Sequence, residues 1–454
     1  MVAESPEHVT AATLWAQGEP EGAARRWNSA APPEHGLINL LASLERGLGC
    51  ESPLNPAFPL PALPPEAVSR HSHVLFWLID GFALDYLSHT PALRTDLFQQ
   101  IETVFPSTTA SAITSVFTGV SPAQHGLLGW RTYLPHPQRT LTVLPAREAD
   151  LGGNSAALST LELQSRIHPP LLIERLPRRT TMISPAAIAH SSYNRLMSGS
   201  ATVMNFRRLE ELPALLGAHV RASAGVPHYT YLYWSHLDHL GHEFGPGSAQ
   251  VRNHLAEVDA VYARILRALE GTGALFLTST DHGMRTVSRR LNIRDAPGVS
   301  ACLRHPLTGE PRAALAHVKP HRHRQFRRAI QAAYGSSVEL IEMNEWLSGR
   351  AFGSGRPHPE LQARAGDYLL FPDADSYLVD PAGDDTGPEF RGAHGGLTRE
   401  EREIPLFRRA FESTPHTRGS QDRLPAAIEQ SIAAGSRAHD APEEGNGQAG
   451  AEPG

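Results

Sequence analysis

The residues of this chain that could hold a cation are concentrated at a few places, and spacing separates them from a background of 24 histidines. Asp238 and His242 stand at i and i+4 in SHLDHLGHEFGP, where one helical face would aim a carboxylate and an imidazole at a single ion. His236 and His239 crowd the same stretch and read as supporting or surface residues, because Gly241, Gly245 and Pro246 frame His242 in a tight bend. Asp281 and His282, adjacent in TDHGM, suit a strand-end turn, since neighbours on a helix diverge. Asp80 follows the apolar run VLFWLI, and His394 sits in GAHGG, where glycines allow close backbone approach. Three aspartates and three histidines suffice for two zinc-like ions with open coordination positions.

A nucleophile is also available. Ser107, Thr108 and Thr109 precede an Ala/Ser/Thr-rich segment, Ala110 to Gly119, that carries Ile113, Val116 and Phe117 at helical spacing. The start of that helix would hold Thr109 among free backbone N–H groups, a ready phosphate site. Taken alone, the three hydroxyls are helix-cap candidates. Beside two metal ions one of them becomes a nucleophile, because a metal-bound alkoxide forms near neutral pH and a free threonine alkoxide does not.

Elements able to bring these groups together are legible in the pattern. Val74 to Ile79 is a continuous apolar run of the kind buried on both faces of a parallel sheet. Further strands are expected at Thr180 to Ser184, His228 to Trp234 and Ala274 to Ser279, with a helix between the last two whose Val251, Leu255, Val258 and Ile265 share one face. Strand alternating with helix implies an α/β fold, a doubly wound and mostly parallel sheet flanked by helices. Ligands gather outside the carboxyl ends of such strands, and three strand ends here deliver Asp80, Asp238 with His242, and Asp281 with His282.

The organisation that follows is an N-terminal arm over residues 1–70, containing the helical segment GLINLLASLERGLG, then a core over 71–298. From 299 to 390 the rhythm changes to a strand at Arg312 to Val318, a helix at Arg324 to Tyr334 and strands at Val338 to Met343 and Asp367 to Phe371, a small α+β insertion. Residues 391–413 return to the core with a strand near Ile404 to Phe407, and 414–454 read as a flexible tail ending in DAPEEGNGQAGAEPG.

Composition excludes several classes. With 454 residues and 41% hydrophobic residues the chain is an ordinary globular one, and no apolar run reaches the ~18 residues of a membrane span, so no membrane partner is expected. The start MVAESPEHVT lacks a basic segment followed by an apolar one. Cys50 and Cys302 cannot build a disulfide framework or a four-cysteine zinc site, which fits a reducing, cytoplasmic location. A net charge of −6 with Lys319 as the single lysine gives no support to a nucleic-acid polymer as partner.

The motifs in their order resemble the alkaline phosphatase superfamily, and within it the type I phosphodiesterase/nucleotide pyrophosphatase family. The matching pieces are LIDG at Asp80, STTASAITSVFTGVSPAQHG from Ser107 to Gly126, DHLGHEFGP from Asp238, TDHGM from Thr280 and GAHGG around His394, within residues 74 to 408. The resemblance implies a metal-dependent hydrolase of small phosphorylated substrates with two Zn2+ ions per chain, Mn2+ being the alternative ion. It assigns Asp80, Thr109, Asp281 and His282 to one ion, with Thr109 as nucleophile, and Asp238, His242 and His394 to the other. In the family the nucleophile lies nine residues before the threonine of the T-G that ends its helix, and counting back from Thr118-Gly119 reaches Thr109. Thr108 is the alternative. The insertion at 299–390 falls where family members place segments that shape the substrate pocket.

Two departures stand out. Better-known nucleotide pyrophosphatases follow the nucleophilic threonine with Phe-Pro, whereas Ala110 and Ser111 follow Thr109. They also carry an asparagine, two residues beyond H-G-x-x, that binds a non-bridging phosphoryl oxygen; the matching position here is Trp130, with Arg131 beside it as a candidate substrate-binding substitute. The resulting expectation is a phosphodiesterase or nucleotide pyrophosphatase acting through a phosphothreonine. Phosphomonoester or phosphonate hydrolysis on the same site is the near alternative, and a metal-stabilised binding protein without turnover is the alternative of another class.

Overall fold

Alternate side chains of the strand His73–Ile79 enter different layers of the protein, which is why its apolar run is unbroken. Val74, Phe76 and Leu78 pack with Leu40, Leu44, Ile113 and Tyr231, whereas Leu75, Trp77 and Ile79 pack with Leu255, Val258, Ile265 and Phe276. In this computed structural model, which describes residues 35–149, 156–167, 170–383 and 389–414, that strand is the centre of a seven-stranded sheet. Across the sheet the order is Leu97–Glu102, Glu403–Ala410, Leu275–Ser279, His73–Ile79, His228–Trp234, Arg179–Pro185 and Thr202–Phe206. Pairing is parallel from Leu275–Ser279 to Thr202–Phe206, and Glu403–Ala410 runs antiparallel to both of its neighbours. Helices Leu37–Gly47 and Thr109–Thr118 lie in the first layer, Leu212–Ala222 and Ala249–Leu269 in the second.

The mostly parallel, doubly wound α/β sheet expected from the sequence is therefore present. Strands Leu97–Glu102 and Thr202–Phe206 escaped the pattern because they form the two edges, where one side chain in two needs no apolar character. Part of the expected N-terminal arm belongs to the core, since Leu37, Leu40, Leu41 and Leu44 are fully buried against the sheet. Residues 1–34 and 415–454, in the outer arm and the expected tail, lie outside the described residues. Among the described residues no helix is long and apolar enough to cross a membrane.

Register does the positioning. Ile79 pairs with Trp234 and Leu78 with Ser279, so extending each strand by one or two residues brings Asp80 beside both Asp281 and the start of the His236–Phe244 helix. Gly81 then turns with φ +70°, and a Cβ there would lie 2.9 Å from that of Asp238. Only glycine lets the turn and the carboxylate come this close.

A second sheet, antiparallel throughout, has the order Val338–Glu342, Tyr368–Pro372, Ala313–Ala316, Thr308–Glu310, Arg131–Leu134, Arg139–Thr142, Arg147–Ala149 and Ala156–Ala157. The strands of the 299–390 segment thus continue, through the pairing of Gly309 with Arg131, into a meander from the first half of the chain. Arg312 fastens this sheet to the core: its guanidinium meets both oxygens of Glu401 at 2.7 and 3.0 Å, in an ion pair that is almost completely buried. Glu401 also accepts the amides of Gly396 and Thr398 and so anchors the loop that carries His394. Burial works to raise the Glu401 carboxyl, but Arg312 and these donors outweigh it and hold it below its ordinary value of 4.5.

A folded-state value below the unfolded one gives stability that is present above the ordinary carboxylate range and is lost as pH falls through the depressed value. Glu401→Ala strands Arg312 in the interior and should cost about 3–5 kcal/mol at neutral pH. Denaturant melts of the variant and the parent should show that difference shrinking as the pH is lowered through the acid range; a difference independent of pH would refute the assignment.

Candidate active site

The ligand groups expected at separate points of the sequence converge at the carboxyl edge of the central sheet. Ligand atoms of Asp80, Asp281 and His282 all lie within 4.8 Å of one another, and so do those of Asp238, His282 and His394. His242 joins the second group, with Nε2 3.3 Å from Asp238 Oδ2 and 3.1 Å from His394 Nε2. Asp238 and His242 share one face of the His236–Phe244 helix, as their spacing predicts.

All three imidazoles are held in the same sense. Nδ1 of His242 lies 2.8 Å from the Gly392 carbonyl, that of His282 2.8 Å from the Gly283 carbonyl, and that of His394 3.2 Å from the Ser107 carbonyl. A carbonyl only accepts, so Nδ1 carries the proton and Nε2 turns a lone pair into the cluster. Two such lone pairs 3.1 Å apart repel unless positive charge stands between them. The carboxylates make the same demand. Oδ1 of Asp281 accepts the amides of Gly81 and His282, but its Oδ2 is buried without a partner, as is Oδ1 of Asp238. Orphaned buried oxygens beside outward-facing imidazole lone pairs fit a pair of divalent cations.

Burial, and then the carboxylates of Asp281 and Asp238, push Asp80 well above the ordinary range, against the pull of the Tyr233 hydroxyl that donates to its Oδ2. For Asp238, burial also acts upward, but His242, His394 and His282 outweigh it and hold the group below its usual range. The same contact raises His242 despite its burial, whereas burial and the neighbouring His282 keep His394 well below the usual imidazole range.

The helix Thr109–Thr118 is buried along its whole length, which explains its small residues. Of the three hydroxyls at its start, Ser107 Oγ donates to the Gly396 carbonyl at 2.7 Å and Thr108 Oγ1 to Glu310 at 2.6 Å. Thr109 Oγ1 alone faces the cluster, 3.0 Å from His282 Nε2 and 3.5 Å from Asp80 Oδ1. Beside it opens a cavity of about 700 Å³ walled by Trp130, Met182, Tyr193, Tyr231 and Trp234, among others. Among its described lining residues Arg207 is the one arginine, and it is exposed. Arg131 is not part of that wall; it begins the strand Arg131–Leu134, and its neighbour Trp130 faces the cavity instead.

Two residues of the site left no sequence signal. Tyr233 is next to last in a strand already explained by burial, and Glu310 stands in TGEP, which reads as a turn. Glu310 is buried and also accepts the Trp130 amide; burial pushes it up to about 7, with its donors Thr108 and Trp130 pulling the other way.

Loaded with zinc and freed of excess metal, the protein should hold about two ions per chain by elemental analysis. His242→Ala and His394→Ala should each leave about one, because the group containing Asp80 and Asp281 stays intact. A single ion in the parent chain would overturn the two-site reading.

Comparison with known proteins agrees with this geometry. The profile for type I phosphodiesterase/nucleotide pyrophosphatase matches residues 74–397. No match is found among curated proteins by sequence. Among solved structures, murine ectonucleotide pyrophosphatase/phosphodiesterase 5 superposes with a TM-score of 0.56 at 17% identity, covering 73% of this chain and 87% of its own. An inactive variant of that protein has been solved in complex with AMP. Phosphonoacetate hydrolase from Sinorhizobium meliloti, solved with phosphonoacetate, superposes with a TM-score of 0.53 at 17% identity, covering 80% of this chain and 95% of its own. At these identities the superpositions speak for the fold, while the profile match extends over most of the chain and takes in every predicted ligand. The chain thus belongs to the type I phosphodiesterase/nucleotide pyrophosphatase family, hydrolases of phosphoric esters within the alkaline phosphatase superfamily.

Proposed function

We propose that this protein is a two-zinc phosphodiesterase of the nucleotide pyrophosphatase type, with Thr109 as the nucleophile that carries the phosphoryl group as a phosphothreonine. The observation behind this is the division of labour among three adjacent hydroxyls. Ser107 and Thr108 are committed to other partners, and Thr109 alone faces the histidines and aspartates. Asp80, Thr109, Asp281 and His282 would hold one ion and Asp238, His242 and His394 the other. When bound, the ions supply Lewis-acid charge and make a hydroxyl at this point acidic enough to react near neutral pH.

The chain's own groups do the rest. Tyr233 fixes the Asp80 carboxylate so that its other oxygen faces Thr109. The carbonyls of Gly283, Gly392 and Ser107 hold the three imidazoles in the tautomer that leaves Nε2 unprotonated. Thr109 stands at the first turn of its helix, where backbone N–H groups can take a non-bridging oxygen.

The cavity supports a small, singly charged substrate with an apolar or aromatic ester group. Beyond the two proposed ions, a phosphomonoester dianion or a carboxylated phosphonate would call on further cations, and among the described lining residues the exposed Arg207 is the one arginine. The solved neighbours, with AMP and phosphonoacetate, show that this fold accepts small phosphorus-containing ligands. Cys50 and Cys302 are buried and unpaired, in keeping with a reducing compartment, and we extend the proposal to a cytoplasmic location.

Zinc-loaded protein should hydrolyse bis-p-nitrophenyl phosphate in preference to p-nitrophenyl phosphate or a phenylphosphonate monoester; the reverse preference would transfer the site to phosphomonoesters. Thr109→Ala should lower kcat by about a thousandfold or more while leaving metal binding largely intact, and Thr108→Ala should be milder. A dead Thr108→Ala beside an active Thr109→Ala would move the nucleophile by one residue. Arg131→Ala should change kcat/KM by less than about threefold, because the side chain is no part of the cavity wall.

A further inference from the structure

The family's phosphate-binding asparagine is matched here by Trp130, and the structure suggests what stands in for its hydrogen bond. Thr108 occupies the N-cap of the Thr109–Thr118 helix, with extended backbone at φ −143° and ψ 150°. A threonine so placed ordinarily accepts a first-turn amide on its own hydroxyl oxygen. Here no side chain caps the helix. The Thr108 hydroxyl is instead drawn away, donating to Oε1 of Glu310 at 2.6 Å, and the same carboxyl oxygen accepts the Trp130 amide. The helix ladder begins with the Ala112 amide on the Thr108 carbonyl at 2.9 Å, so the amides of Thr109, Ala110 and Ser111 precede its first bond.

Glu310 reaches this point from the second sheet, and the GAHGG loop makes room for it. Gly395 has φ +110°, and a Cβ there would lie 2.7 Å from the Cβ of Glu310. Loop, insertion strand and helix start therefore meet at one buried carboxyl, which is 5% exposed.

We infer that Glu310 is a positioning residue that keeps the helix start uncapped, so that first-turn amides take the phosphoryl oxygen which the family's asparagine would otherwise bind. The inference rests on Thr109 being the nucleophile at that helix start. It attributes to Glu310 an indirect role: the carboxyl touches Thr108 and Trp130, and the substrate meets the amides that Thr108 would otherwise cover. Removing the carboxyl releases the Thr108 hydroxyl to turn back onto its own helix and compete with the phosphoryl oxygen.

The test is a mutant cycle on the zinc-loaded full chain, read as kcat/KM for bis-p-nitrophenyl phosphate and as affinity for inorganic phosphate by calorimetry. Glu310→Ala should lower kcat/KM by about a hundredfold, the loss that follows removal of an oxyanion donor, and weaken phosphate binding in parallel. Adding Thr108→Ala should restore most of both, because the competing hydroxyl is gone. Glu310→Gln, which keeps an acceptor oxygen for Thr108, should stay within about threefold of the parent. Rescue by the second substitution is something a merely structural role would not produce. Additive losses in the double variant would overturn the inference, and so would a Glu310→Gln variant as impaired as Glu310→Ala. If Glu310→Ala does not fold, the Gln variant decides alone: activity within about threefold of the parent supports the inference, and a loss of about a hundredfold overturns it. A parent that binds phosphate yet hydrolyses none of the esters would refute the hydrolase reading, while the phosphate affinities of the variants would still decide the role of Glu310.

Discussion

Two buried carboxylates, Asp80 and Asp281, and the half-buried Asp238 are brought within reach of one another by the register of the central sheet, and this concentration of like charge governs the rest of the site. Buried anions without compensation take up protons or destabilise the fold. The protein meets the demand partly with its own groups: Tyr233 donates to Asp80, and backbone amides serve one oxygen of Asp281. What is left over, one oxygen each on Asp238 and Asp281 and three imidazole lone pairs, is arranged for cations. Cations bound here would link metal affinity to folding energetics, because they would complete an electrostatic balance that the chain leaves open.

The scaffold around this charge is buried and well hydrogen-bonded. The Thr109–Thr118 helix can lie deep between the central sheet and the Arg131–Ala157 meander because alanine, serine and threonine leave little bulk, and because its hydroxyls find partners inside, as Thr114 does on the Ala110 carbonyl and Ser111 on the Leu127 carbonyl. The His394 loop is fixed from behind by Glu401, which Arg312 in turn ties to the second sheet. The second sheet is thus coupled to the site at two points: Arg312, through Glu401, holds the loop that bears His394, and Glu310 holds Thr108 and the Trp130 amide beside Thr109.

Of the departures from the family pattern, Trp130 lines the cavity, while Ala110 and Ser111 are buried within the helix. The candidate ligand residues match their motifs, whereas Ala110 and Ser111 stand where the resemblance places Phe-Pro, and Trp130 where it places asparagine. Trp130 adds aromatic surface to a cavity that already has Tyr193, Tyr231 and Trp234 in its wall. A common hydrolytic centre with an altered recognition surface is the arrangement expected where chemistry is carried by metal ligands and specificity by the walls around them.

Much of this was legible in the chain by itself. The unbroken apolar run ahead of Asp80 marked the central strand, the i, i+4 pair Asp238 and His242 marked a helical face, and the order of motifs marked the family. These features are local, or recur in fixed order, so a sequence displays them directly. The edge strands Leu97–Glu102 and Thr202–Phe206 were not legible, because half-exposed strands leave a weak pattern. Nor was the joining of the 299–390 segment to the Arg131–Ala157 meander, which depends on one long-range pairing, Gly309 with Arg131. The tertiary structure alone decided which of three adjacent hydroxyls faces the cluster, and it alone brought Tyr233 and Glu310 to the site. Those assignments are set by where distant carboxyls and carbonyls lie in space, and the types and spacing of residues along the chain carry no record of that.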